Sequence, residues 1–115
     1  MAIKTYDKFR IINPEKRLCV RSKVHILRLI GHPNVVKLFD VIETAHQVHL
    51  VQELVAGSSL KSYLKAKFNN KLDEAEARGV FLQMAKAISY CHKLNITHRN
   101  IKLENAILDR NRTLK

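Results

Sequence analysis

At 115 residues, with 46% hydrophobic and 27% charged side chains, the chain makes one modest domain or part of a larger one and is too apolar for disorder. Its 21 Lys and Arg outnumber 10 Asp and Glu, for a net charge of +11. The basic residues are spread out, with no Lys/Arg block and no interleaved aromatics, so a solvated basic surface is expected and nucleic acid is not an expected partner.

No apolar run reaches the ~18 residues that a membrane helix needs, and no signal peptide opens the sequence. Cys19 and Cys91 lie in apolar-periodic segments without C-x-x-C spacing, the pattern of buried reduced thiols. An intracellular location, cytoplasmic or nuclear, is therefore expected.

The first clear element is a helix. Asn13 is a capping residue, Pro14 fits the first helical position, and Glu15 suits the positive end of the dipole. Val20, Val24 and Leu27 then recur at helical spacing until Gly31-His32-Pro33 stops the run. Two strands are predicted next, Val35–Ile42 and Val48–Leu54, joined as a hairpin through Thr44-Ala45-His46-Gln47.

Gly57-Ser58-Ser59 caps a short helix reaching about Lys67, and Asn69-Asn70 breaks it. Asp73 and Glu76 read as a capping box, with Phe81, Met84, Ile88 and Cys91 as the stripe of a long amphipathic helix. A loop follows, and Ala106-Ile107-Leu108 leads toward a turn at Asp109-Arg110-Asn111. Hairpinned strands placed before the helices favour an α+β class over a parallel α/β sheet. The His residues do not make a metal site: His46 and His49 would face opposite sides of a strand, and no Cys or acid completes a set.

His98-Arg99-Asn100-Ile101-Lys102-Leu103-Glu104-Asn105 resembles the protein-kinase catalytic loop, H-R-D-L-x-x-x-N. Met1-Ala2-Ile3-Lys4 resembles the V-A-I-K of the family's third strand. Gly31-His32-Pro33-Asn34-Val35-Val36-Lys37-Leu38 resembles the H-P-N-I-V stretch, and Val51-Gln52-Glu53-Leu54-Val55 the hinge. On these motifs the chain resembles a serine/threonine protein kinase domain of the calcium/calmodulin-dependent and AMP-activated-related group. Tyr90-Cys91-His92 and Leu103-Glu104-Asn105 are most similar to the microtubule-affinity-regulating and sperm-motility kinases.

The resemblance implies a partial kinase fold: an incomplete antiparallel N-lobe sheet with the C helix over 1–52, a hinge at 53–57, and the start of a helical C-lobe over 58–115. It implies ATP and Mg²⁺ as cofactors. Lys4 would hold the α- and β-phosphates; the carbonyl of Glu53 and the backbone of Val55 would meet the adenine edge, with Gln52 as gatekeeper. Lys102 would steady the transferred phosphoryl group and Asn105 would ligate magnesium. His98 would brace the loop, and Arg99 would read a phosphorylated activation loop.

Two positions depart from the family pattern. Asn100 replaces the Asp that accepts the substrate's hydroxyl proton, and an amide has no carboxylate to take it. Lys23, nine residues before His32, stands where the family's C-helix Glu pairs with the strand lysine. Beside Lys4 it would bring two like charges together, which at ~4 Å costs about 4 kcal/mol at an effective dielectric of about 20. Lys23 should therefore turn to solvent, or the helix should swing outward.

The sequence is also expected to lack the glycine-rich loop before the third strand and the D-F-G after the catalytic loop. The expectation is thus a serine/threonine kinase fragment, ATP-binding by resemblance but catalytically inactive. A non-catalytic interaction module is the alternative, binding a protein through the helix from Asn13 (αC in the family) or the one bearing Phe81 (αE). So is a non-functional remnant.

Overall fold

The computed structural model describes all 115 residues. It is α+β, and the chain falls into two compact units, residues 1–31 with 36–54 and residues 32–35 with 55–115. No helix is long and apolar enough to cross a membrane.

The first unit is a three-stranded antiparallel sheet carrying one helix. Strands β1 (Ala2–Asp7), β2 (Leu38–Glu43) and β3 (Gln47–Gln52) take the order β1-β3-β2. Leu50 is fully buried at the centre of β3, and Lys4 on one side and Val41 on the other share its face through the pairing register. The expected hairpin forms: Thr44 and Gln47 exchange backbone and hydroxyl hydrogen bonds at 2.8 and 2.9 Å. A bulge at Phe39 shifts the β2 register.

Both strands are shorter than the residue pattern predicts. β2 begins at Leu38 because the Val35 N–H is donated to the His32 carbonyl in a turn, 3.0 Å. Asn34 is held elsewhere: its amide donates to the Gln83 side chain and the Leu114 carbonyl at 2.9 and 2.8 Å. β3 ends at Gln52, after which a single bond from the Glu53 N–H to the Lys37 carbonyl closes the pairing.

Helix α1 (Pro14–Leu29) starts as its capping residues predict, with Asn13 Oδ1 accepting the Glu15 N–H at 2.9 Å. None of its residues is buried.

The second unit holds helices α2 (Leu60–Lys65) and α3 (Glu74–Lys93) and a two-stranded sheet of β4 (Gly57–Ser59) and β5 (Ile107–Asp109). Its core is Leu60, Val80, Ala106, Leu108 and Leu114, with Tyr63, Leu64, Leu72 and Met84 packed around them. Gly57 is required at the strand pair: a Cβ there would lie 2.1 Å from the Leu108 carbonyl oxygen. Ser59 caps α2 by accepting the Ser62 N–H. The helix ends at Lys65, two residues earlier than expected, where Ala66 and Lys67 fold back onto Ser62 and Leu64. Asn69 and Asn70 break the chain in left-handed conformations, φ 58° and 52°, which Asn tolerates better than most residues.

α3 differs from expectation in two ways. Asp73 caps it by accepting the Glu76 N–H at 2.8 Å, but the Glu76 carboxylate does not complete the box. It accepts from the Tyr63 hydroxyl and from Lys67 Nζ at 3.0 Å, with Arg112 at 3.6 Å. The hydrogen bonds from Tyr63 first and Lys67 second hold the Glu76 carboxyl below the ordinary carboxylate value, and the bond to Glu76, ahead of that to Tyr63, raises the Lys67 ammonium. The buried positions of α3 are Val80 and Cys91, while Phe81 is 68% exposed. Adjacent helical residues lie about 100° apart, so the core selects Val80 and leaves Phe81 with Met84, Ala85 and Ile88 lining an open apolar groove.

The two glycines give opposite expectations. Gly79, inside α3 with open space around it, should gain about 0.5–1 kcal/mol on substitution by Ala. Gly57→Ala should lose about 1–3 kcal/mol through overpacking against β5. Urea unfolding of the two variants measures both signs.

The Glu76 cluster sets a pH window. The folded carboxyl pKa is depressed, so its stabilisation is complete above the ordinary carboxyl value of 4.5 and is lost as pH falls through the folded value. The Lys67 pKa is raised, so its share is complete below 10.5 and is lost as pH rises further. The melting temperature should fall at both extremes, and Glu76→Gln should flatten the acid limb.

Candidate functional site

In the first unit, Lys4 sits mid-strand on β1, directly opposite Leu50. Its side chain is exposed, with Nζ 5.6 Å from the centroid of the Tyr6 ring. Lys23 on α1 is also exposed, so the like-charge conflict is resolved by solvation. Neither lysine enters an ion pair; the paired lysine near this strand is Lys8, which reaches Glu43 at 2.6 Å and holds that carboxyl below its usual range. Glu53 follows β3, its N–H donated to the Lys37 carbonyl and its carboxylate accepting the Lys37 N–H at 3.2 Å.

In the second unit, the Val55 carbonyl accepts the Gly57 N–H at 3.0 Å, a tight turn that feeds β4. Of the backbone groups that the resemblance assigns to adenine at this residue, the turn leaves the N–H.

The loop of Asn100 begins at a defined helix end. Asn95 adopts φ 58°, its N–H reaches the His92 carbonyl, and the Ile96 N–H reaches the Cys91 carbonyl, both at 2.9 Å. That is a Schellman motif, with Asn supplying the left-handed residue where Gly is commonest. Burial pushes the Cys91 thiol up and keeps it protonated.

Beyond it the loop is held largely by backbone groups. His98 Nδ1 accepts the Asn100 N–H at 3.3 Å, and the Asn100 carbonyl accepts from Asn105 Nδ2 at 3.0 Å. The Asn105 N–H donates to the Lys102 carbonyl at 3.0 Å. Arg99 takes a left-handed φ of 61°, a strain of about 1–3 kcal/mol for a residue with a Cβ.

The far end of the loop is anchored on α2. The Leu60 and Lys61 N–H groups, which a helix N-terminus leaves without internal partners, donate to the Ala106 and Leu103 carbonyls at 2.7 and 3.1 Å. Lys61 Nζ adds an ion pair to Glu104 at 2.7 Å, and this hydrogen bond is the main reason the Glu104 carboxyl lies below its usual range.

The structure therefore brings Asn100, Lys102 and Asn105 together in one exposed loop of the second unit, near neither Lys4 nor Glu53 in the sequence. The Asn100 side chain takes no part in the loop's hydrogen bonds. Position 100 contributes through its N–H and carbonyl, which any residue but proline supplies.

Taken one at a time, two of these groups have donor chemistry that would suit parts of a nucleotide: in the first unit the Lys4 ammonium, which enters no ion pair, would suit phosphate, and in the second the Val55 N–H would suit a ring nitrogen. Magnesium does not fit these residues alone. Asn105 offers one neutral amide oxygen, no three His, Cys, Asp or Glu residues gather anywhere in the structure, and Mg²⁺ seeks an octahedral oxygen shell that ordinarily includes a carboxylate.

Residues 1–115 match the family model of the protein kinase domain. The chain belongs to the protein kinase domain family. Over its whole length it is 36% identical to the probable serine/threonine-protein kinase MARK-A of Dictyostelium discoideum and, over 117 aligned residues, 38% identical to the serine/threonine-protein kinase SIK1 of Mus musculus. It spans 11% of the first and 14% of the second.

Two supports of the site escaped the sequence reading. Lys61–Glu104 joins residues 43 apart, so no helical or strand period marks it. Asn34 joins the turn after His32 to Leu114, 80 residues on. The H-P-N motif drew attention to Asn34 but said nothing of its partner.

Loop shape should be indifferent to the side chain at 100 and sensitive to that at 105. Asn100→Ala should change unfolding free energy by less than about 0.5 kcal/mol. Asn105→Ala, which orphans the Asn100 carbonyl, should lose about 0.5–1.5 kcal/mol and speed amide exchange across 98–105. Urea melts and hydrogen exchange compare the two.

Proposed function

We propose that this chain is a segment of a serine/threonine kinase-type domain that has lost phosphoryl transfer, a pseudokinase-like module. The observation that carries the reading is Asn100, set in a loop whose backbone bonds are intact and whose side chain lacks a basic oxygen. In the family, ATP supplies the phosphoryl group and the loop acid takes the attacking hydroxyl's proton. Here Lys4 would meet phosphate oxygens, Val55 would orient the base, and Lys102 would neutralise charge on the group in transfer. No side chain at position 100 would accept the proton, a loss worth ~10²–10⁴-fold in rate.

A second departure supports the same conclusion. The resemblance requires an acid on α1 to hold the strand lysine in place, and Lys23 offers a cation that points to solvent. Lys4 is left without a carboxylate partner, so no ion pair preorganises its ammonium toward phosphate.

Radiolabelled phosphate transfer to a Ser/Thr peptide library tests the proposal. The chain should transfer none above background, and Asn100→Asp should stay silent because Lys23 still leaves Lys4 unpositioned. Measurable phosphorylation by either protein would overturn the reading.

A further inference from the structure

We propose that the exposed face of α3 is an interface at which two copies of this chain pair antiparallel about a two-fold axis. Glu74, Arg78, Phe81, Ala85, Ile88 and His92 follow one another at intervals of four, three, four, three and four residues along the 20-residue helix. Alternating steps of three and four keep side chains on one line, which is the spacing of a helix–helix seam. The core takes the other side of α3, through Val80 and Cys91.

The middle of the line has the relief of such a seam. Phe81 stands out with 68% of its surface exposed. Beside it a hollow of about 550 Å³ is lined by the small Ala85 and Ser89 as well as by Ile88 and His92. A projecting ring and a place to receive one thus lie side by side on a single helix. A two-fold contact requires this, because each copy must supply both halves of the fit.

Run antiparallel, the line matches itself. With Phe81 of one copy opposite Ala85 of the other, the same register sets Arg78 opposite Ile88 and Glu74 opposite His92, and the two-fold repeats each match. Large meets small at the centre. The Arg78 stem covers Ile88 while its guanidinium reaches water. At the ends, an acid meets the imidazole and its neighbour Lys93. The Glu74 side chain is 90% exposed, and its 3.3 Å pair with Arg78 is of the solvated kind that holds a carboxylate only weakly. Antiparallel helices also set each positive N-terminus beside a negative C-terminus. A parallel pair would instead oppose Glu74 to Glu74 and His92 to His92.

An unrelated apolar segment would cover Phe81 equally well, but the acid-to-base order of the two ends has its complement in a second copy. The line from Glu74 to His92 is about 27 Å long, and one helix laid on another buries less than the ~800 Å² per partner of a standard interface. Each copy also carries a net charge of +11. The dimer should therefore be weak and form at high protein concentration. The face uses none of Lys4, Asn100, Lys102 or Asn105 and stands whether or not the chain transfers phosphate.

Sedimentation equilibrium of the whole chain over a wide concentration range tests it, with circular dichroism reporting the fold of each variant. The mass should rise from 13.3 kDa toward twice that value and stop there. Phe81→Ser and, separately, Ala85→Lys should each weaken association roughly tenfold. Glu74→Lys and His92→Glu should each weaken it roughly threefold. The two together should restore it, because exchanging the ends recreates the match between antiparallel copies. Leu18→Ser, at a comparably exposed apolar residue of the first unit, should leave association unchanged. A chain that stays at monomer mass, growth past the dimer, or equal loss in Leu18→Ser would each overturn the proposal. So would association indifferent to Phe81→Ser and Ala85→Lys, or no rescue by the double exchange.

Discussion

Two hydrogen bonds at the start of α2 organise the second unit. The Leu60 and Lys61 N–H groups have no partners within their own helix, and the carbonyls of Ala106 and Leu103 supply them. This joins the loop after α3 to the helix before it and sets β5 beside β4, where Gly57 allows the backbones to touch. Leu60 and Leu108 are thereby brought into one core with Val80 and Leu114. The Glu76 carboxylate fastens the other end of α2 through Tyr63 and Lys67. The loop is consequently part of the unit's construction as well as the stretch that resembles the family's catalytic loop.

The first unit is governed more by charge than by core. Leu50 is its single fully buried side chain, and much of the apolar surface of α1 is shared with open groove. Lys4 and Lys23 both face water, the low-cost arrangement for like charges when a partner acid is missing. Lys8 and Glu43, near the ends of their strands, form the ion pair that survives there. Departure from the family pattern thus removes an electrostatic contact without deforming the sheet.

Much of the fold was legible in the sequence because its signals are local. Asn13-Pro14 and Asp73 announce helix starts through capping chemistry, and Asn69-Asn70 announces a break through tolerance of the left-handed region. What escaped depends on distant partners. A three-residue strand such as β4 has no period to detect, and Gly57 reads as a helix preface until Leu108 is placed against it. β2 starts late because the Val35 N–H turns back to the His32 carbonyl. Phe81 and Val80 are equally apolar, and only the core decides which one turns inward. The motif around Asn100 was legible to the residue, whereas the ion pair of Lys61 with Glu104 was not.

The bonding of Asn100 through its backbone has a consequence for how such loops persist. A residue that contributes only its N–H and carbonyl to the architecture can be exchanged without penalty to folding, so the side chain there is answerable to chemistry alone. Chemistry could lapse at this position while the surrounding loop stayed under the separate requirement of capping α2. The preserved outline of a catalytic loop therefore testifies to a helix that still needs its end covered, and is silent about turnover.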